Sequence, residues 1–134
     1  MSWPRSPELA PDTVHLQLAE RHHELLVAYA RAAAPRECCG LLLGRGLTVT
    51  GLWPCRNVAT GEHGFMVHPD DQLLGLQVAY ETDEFDVIGM YHSHPRGPGW
   101  PSPADLVCPP PRGWHYVVVS LAGPAPTVSG FLVS

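Results

Sequence analysis

The sequence predicts a mixed α/β or α+β protein, a sheet with helices packed on it. Three observations predict it. Short apolar runs bounded by glycines and turn residues recur along the chain and read as strands. Two segments instead repeat their apolar residues at helical spacing. The two kinds follow one another as helix, strands, helix, strand, short helix, strands, with no internal repeat and no linker long enough to divide the chain.

Residues 1–13 combine proline with polar groups and predict a loose lead-in to a single domain over residues 1–134, a length ordinary for one core. From about His15 to Ala34, Leu18, Leu25, Leu26, Tyr29 and Ala33 fall near one face and Glu20, Arg21, Glu24 and Arg31 mostly off it, so a helix is predicted. Pro35 ends it. Cys38 to Gly44 is an apolar run closed by glycine, a buried strand with Glu37 just before it. Gly44-Arg45-Gly46 signals a turn, and Leu47 to Trp53 reads as the return strand of a hairpin. Phe65 to Val67 is a further candidate strand. Pro69-Asp70-Asp71 suits the first turn of a helix, where proline loses no bond and acids meet the positive end of the dipole; Leu73, Leu76 and Tyr80 then repeat at helical spacing. Val87 to Tyr91 is a second buried strand running into His92, Ser102-Pro103-Ala104-Asp105 reads as a helix start, and Tyr116 to Leu121 and Thr127 to Val133 are final strands.

Composition narrows the function classes. The apolar fraction of 45% and charged fraction of 16% belong to a globular chain. A formal charge of −5 argues against nucleic acid as the main partner, since phosphate binding needs clustered Lys and Arg. All eight basic residues are Arg, so the chain offers no lysine side-chain amine for isopeptide attachment. The N-terminal residues lack the apolar run of a secretory signal and no run is long enough to span a bilayer, which leads us to expect a cytoplasmic protein away from membranes. Cys38, Cys39, Cys55 and Cys108 form no C-x-x-C pair and read as free thiols.

The residues that carry chemistry lie around Tyr91-His92-Ser93-His94-Pro95. On a strand, residues i and i+2 share a face, so His92 and His94 present two imidazoles together at the strand's end. Asp105 follows after a stretch holding four prolines and two glycines, which can fold back sharply. Two nitrogens and one carboxylate, with a fourth position left for water, make the pattern of a catalytic zinc site. Ser102-x-x-Asp105 is also a plain capping pattern with Pro103 at the first helical position, and H-x-H alone is a weak signal. Joined to Pro95 and to Glu37 upstream, the set becomes specific.

His92-Ser93-His94-Pro95, then Ser102-x-x-Asp105, with Glu37-Cys38-Cys39-Gly40 upstream, closely resembles the JAMM or MPN+ metallopeptidase motif. The ten residues between His94 and Asp105 match the family's spacing. The resemblance implies a curved mixed sheet flanked by helices, related in architecture to the cytidine deaminases. It implies Zn2+ as cofactor, with His92, His94 and Asp105 as ligands, Glu37 as general acid/base and Ser102 as an oxyanion contact. It also implies the activity: hydrolysis of the amide or isopeptide bond after the C-terminal Gly-Gly of a ubiquitin-like or sulfur-carrier protein. Only nine residues, Leu106 to Trp114, precede the next predicted strand, little room for the insertions with which larger deubiquitinases of the family grip ubiquitin.

Other readings weigh less. A non-catalytic scaffold of this fold normally loses a ligand, and none is lost here. A nucleobase deaminase needs a P-C-x-x-C run, which does not occur. A cell-wall or phage-tail type peptidase would share the metal site, and the missing signal peptide disfavours it. A DNA-repair-associated relative is disfavoured by the acidic charge. Among the remaining candidates, His22 and His23 are adjacent on a helix and read as solvated or core-edge residues. His63 and His68 read as loop or capping residues rather than as lining a substrate groove, His115 as structural and Ser93 as pointing away from the metal to bond backbone. Trp100 reads equally as substrate contact or loop anchor.

Overall fold

Antiparallel neighbours can be joined by tight turns, whereas parallel neighbours need a crossing connection. Both occur here. The computed structural model describes residues 9–11 and 16–134. Its elements are β1 (Leu9–Pro11), α1 (Glu20–Ala33), β2 (Cys39–Arg45), β3 (Thr48–Cys55), α2 (Pro69–Tyr80), β4 (Asp86–His94), β5 (His115–Ser120) and β6 (Thr127–Val133). The six strands form one sheet in the order β1-β6-β5-β4-β2-β3. β4 and β5 run parallel and every other pairing is antiparallel, so the sheet is mixed, as the family resemblance implied. The connection that β4–β5 pairing demands is residues 95–114, and it carries Trp100, Ser102 and Asp105.

Alternating side chains give the sheet two apolar faces. Leu42, Tyr91, Val117 and Val119 pack with Leu26, Val27 and Ala30 of α1. Leu41, Met90 and Tyr116 pack on the other side with Trp53, Phe65 and Phe131. Between β2 and β4 the register steps from Leu42↔Gly89 to Leu43↔Val87, so Ile88 is an extra residue. Such a bulge resets the alternation. Val87 and Met90 therefore serve one face, while Ile88 and Tyr91 serve the other. Past the bulge strict alternation resumes and delivers His92 and His94 to Met90's side.

Several expectations are corrected. The expected lead-in over residues 1–13 includes a short edge strand, since Leu9–Pro11 pairs with Phe131–Val133; the rest of that stretch and His15 lie outside the described residues. α1 begins at Glu20, not His15, because Gln17 is bound to β3: its N–H donates to Leu47 O (2.6 Å) and its carbonyl accepts from Val49 N–H (2.9 Å). The buried residues of α1 are His22, Leu26, Val27 and Ala30, while Leu25 is exposed. Phe65 to Val67 is no strand; only Val67 forms a bridge, to Asn57. Ser102 starts a single turn rather than a helix. In α2 the expected apolar stripe of Leu73, Leu76 and Tyr80 faces outward, and Gly75 and Ala79 face the sheet. Among the described residues no helix is long and apolar enough to cross a membrane.

Candidate metal centre

The site is built where β4 ends. Cys39 of β2 lies opposite His92 in the antiparallel register, and Ser93 N–H donates to Cys38 O at 3.0 Å, so the ladder continues past the strand's start. That register sets Glu37 across from His94 on the same face. Ser93 points the other way and its Oγ accepts from Cys38 N–H at 2.8 Å, as the alternation predicts.

Each imidazole is fixed by its surroundings. His92 is fully buried, with Phe65 at 4.5 Å and Tyr116 at 5.1 Å between ring centroids. His94 Nδ1 donates to Pro98 O at 2.8 Å, which leaves a lone pair on Nε2 of the neutral ring. Asp105 arrives through a reciprocal cap: its Oδ2 accepts from Ser102 N–H (2.8 Å), and Ser102 Oγ accepts from Asp105 N–H (3.1 Å). The capping pattern and the site residue are therefore the same two side chains.

Three atoms converge. His92 Nε2 lies 2.9 Å from His94 Nε2 and 3.0 Å from Asp105 Oδ2, and His94 Nε2 lies 3.1 Å from Asp105 Oδ2. Burial opposes a charge on His94, but the Asp105 carboxylate and Pro98 O outweigh it and raise its affinity for a proton. Burial likewise opposes ionisation of Asp105, and its bonds to His92 and His94 overcome this and hold the carboxyl well below the usual range. Three ligand-type atoms thus face one point that calls for positive charge. A tetrahedron with metal bonds of roughly 2.0–2.2 Å has edges of roughly 3.3–3.6 Å, so this triangle needs to spread by only a few tenths of an ångström to hold zinc. The donor set fits the ion.

Glu37 completes the group: one ligand-type atom from each of Glu37, His92, His94 and Asp105 lies within 4.8 Å of the others. Its Oε2 accepts from Gly64 N–H at 2.9 Å, while Oε1 is buried with no partner. A buried carboxylate oxygen left unpaired costs free energy unless something outside the protein meets it. Glu37 and Asp105 both line a cleft of about 390 Å³, with Ser102, Trp100 and Arg96. His63 also lines this cleft, the groove-lining position weighed below a loop or capping role in the sequence. His68 caps α2, accepting from Asp70 N–H at 3.1 Å. His22 is buried at the edge of the core, His23 is exposed, and His115 is buried at the start of β5.

Sequence reasoning missed two residues that hold Glu37. Asn57 Nδ2 donates to Glu37 O (2.9 Å) and Gly64 O (3.3 Å), and its Oδ1 accepts from Ala59 N–H and Met66 N–H. Arg36 donates to the carbonyls of Asn57, Ala59 and Gly61. Together they fold 57–66 into the loop that aims Gly64 N–H at Glu37, with Gly64 itself at φ +77°, a conformation glycine adopts without strain. The one available signal was Gly61 and Gly64 around a polar stretch, which marks a turn but not its target.

The chain can now be set beside known proteins. The family described as prokaryotic homologs of the JAB domain matches residues 19–131. A desampylase of Haloferax volcanii is 31% identical over 114 residues, covering 81% of this chain and 82% of that protein. A CysO-cysteine peptidase of Mycobacterium tuberculosis is 29% identical over 107 residues, covering 74% of this chain and 68% of that protein. The solution structure of a protein from Desulfitobacterium hafniense superposes with a TM-score of 0.76 at 32% identity, covering 87% of this chain and 82% of the other. The converging His92, His94 and Asp105, the Glu37 opposite them and a family match over most of the chain's length together place this chain among the prokaryotic JAB-domain proteins of the JAMM/MPN family.

Proposed function

We propose that the protein is a zinc-dependent peptidase or isopeptidase that hydrolyses the amide bond after the C-terminal Gly-Gly of a ubiquitin-like or sulfur-carrier protein. The observation that carries this reading is the unpaired Oε1 of Glu37, buried beside the His92, His94 and Asp105 triangle at the wall of an open cleft. His92 Nε2, His94 Nε2 and Asp105 Oδ2 would hold the ion. When bound, zinc supplies Lewis acidity and water acidified toward a pKa of ~7.

The protein's own groups do the rest. Glu37 takes the water's proton at Oε1 and returns it to the leaving amine, while Gly64 N–H keeps Oε2 fixed. Ser102 Oγ already accepts from Asp105 N–H, so its hydroxyl hydrogen is available to donate to the oxygen of the scissile carbonyl as charge develops there. An extended Gly-Gly tail suits a cleft whose lining includes Pro35, Gly64, Pro95, Gly97, Pro98 and Pro103. Relatives named as a desampylase and a CysO-cysteine peptidase support the substrate class. Free thiols at all four cysteines fit action in the reducing cytoplasm, by a chain working as one domain.

The test is mass spectrometry of a carrier protein extended by one Cys beyond Gly-Gly, mixed with zinc-loaded protein. Release of that Cys supports the reading. A sample shown to hold zinc that leaves the carrier intact but cuts short peptides would favour a small-peptide peptidase, and one that cuts neither would favour a scaffold.

A further inference from the structure

The cleft has one feature that the proposed hydrolysis leaves unused. Its lining includes three carboxylates, Glu37, Glu62 and Asp105, and a single permanently cationic side chain, Arg96. Three other arginines of the described residues are committed, and none of the remaining ones lines the cleft. Arg36 holds three carbonyls, Arg45 donates to Glu84 O, and Arg56 forms a two-pronged pair with Asp71 at 2.9 Å through each prong. Arg96 is exposed and has no hydrogen bond or ion pair among the described residues.

The backbone that presents Arg96 is nevertheless anchored. His94 Nδ1 donates to Pro98 O at 2.8 Å, and Ser120 Oγ donates to Gly97 O at 2.6 Å. Pro95 and Pro98 restrict the same stretch further. A guanidinium without a protein partner, on a stretch pinned beside the reactive cluster, is placed to receive an anion from the substrate. Its fork matches a carboxylate in two-pronged fashion.

The chemistry of the substrate says which anion. The Gly-Gly tail is neutral up to the scissile carbonyl. On the other side of the bond, an amino acid joined through its α-amine keeps its carboxylate one carbon from the scissile nitrogen. A lysine joined through its side chain has no carboxylate within several bonds. We propose that Arg96 determines leaving-group specificity, binding the free carboxylate of a single amino acid attached to the carrier's C-terminus and so favouring such conjugates over lysine isopeptides. The reaction is ordinary hydrolysis: water oxygen bonds to the carbonyl carbon, the C–N bond breaks, and the nitrogen leaves with the proton as the amine of a free amino acid. The proposal rests on the peptidase reading above and specifies its substrate.

The test uses the zinc-loaded full chain and two substrates: a Gly-Gly carrier protein extended by one alanine with a free carboxylate, and the same protein ending in alaninamide. The native protein is expected to cleave the acid with a kcat/KM about tenfold or more above the amide, the size of one charge-assisted hydrogen bond. Arg96→Gln is expected to bring the ratio close to one by losing rate on the acid alone, and Arg96→Lys to restore part of the preference. Equal native rates on the two substrates, or equal losses on both in Arg96→Gln, would overturn the assignment while leaving the peptidase reading intact; the latter result would mark Arg96 as a contact to the carrier's body. Failure of the native protein to cut either substrate would instead remove the peptidase reading, and this proposal with it.

Discussion

Glu37 differs from the three triangle residues in what it lacks. His92, His94 and Asp105 reach one another within 3.1 Å, whereas Glu37 Oε1 reaches nothing. In the proposed mechanism that difference separates the three residues that would hold the ion from the one that would move a proton. Glu37→Gln keeps the side chain's shape and still presents an oxygen to Gly64 N–H, but it removes the proposed base. It is expected to bind zinc as the native protein does, by metal analysis, and to lose about two to four orders of magnitude in kcat. Unchanged turnover in this variant would remove Glu37 from the mechanism. At this scale the sequence was informative because spacing along a strand translates directly into facing: His92 and His94 two apart, Ser93 between them turned to Cys38. Arg36 and Asn57 were not legible. Their work is done through backbone carbonyls and amides at contacts that no side-chain pattern records.

The elements were read well where one residue type forces the geometry and poorly where tertiary contact overrides it. Pro69 and the two acids after it start α2 as predicted. Its inward face was misread because apolar periodicity assumes that large side chains point to the core. Gly75 reverses this: a Cβ there would lie 2.8 Å from Leu41 Cδ1 and 2.9 Å from the Trp53 ring. The helix approaches the sheet over a missing side chain, and Trp53 Nε1 reaches Asp71 O at 3.0 Å because of it. Leu73, Leu76 and Tyr80 are left outside. Ser102 was misread for a related reason, since its cap closes a single turn and the chain then meets Pro109, Pro110 and Pro111. Gly75→Val is therefore expected to destabilise the protein by about 2 kcal/mol, the overpacking and β-branching outweighing the helix propensity gained over glycine. Denaturant unfolding would measure it. A neutral or stabilising outcome would mean that α2 does not sit this close to Trp53.

On the scale of the whole molecule, the site ties together segments far apart in the chain. Glu37 precedes β2, His92 and His94 end β4, and Asp105 lies in the crossing connection that the parallel β4–β5 pairing requires. The order of elements was legible, but that parallel pairing was not, since nothing local to β5 says which neighbour it will take. Residues 95–114 are held to the sheet near the site by bonds such as His94 to Pro98 O and Ser120 to Gly97 O. An ion bound by His92, His94 and Asp105 adds a bond between this connection and the sheet that the unfolded chain cannot make. Binding to the folded state alone stabilises by RT ln(1 + [L]/Kd), about 2.7 kcal/mol at a hundredfold excess over Kd. For a chain of this length that is a rise of roughly 5–15 °C in Tm. Zinc added to chelator-treated protein is expected to raise Tm by this order, and Glu37→Gln is expected to show the same rise. His94→Ala, which removes one of three protein ligands, is expected to lose it. A Tm that ignores zinc in the native protein would show that the triangle does not hold the ion, whatever activity is found. A rise that persists in His94→Ala would place the ion elsewhere on the chain.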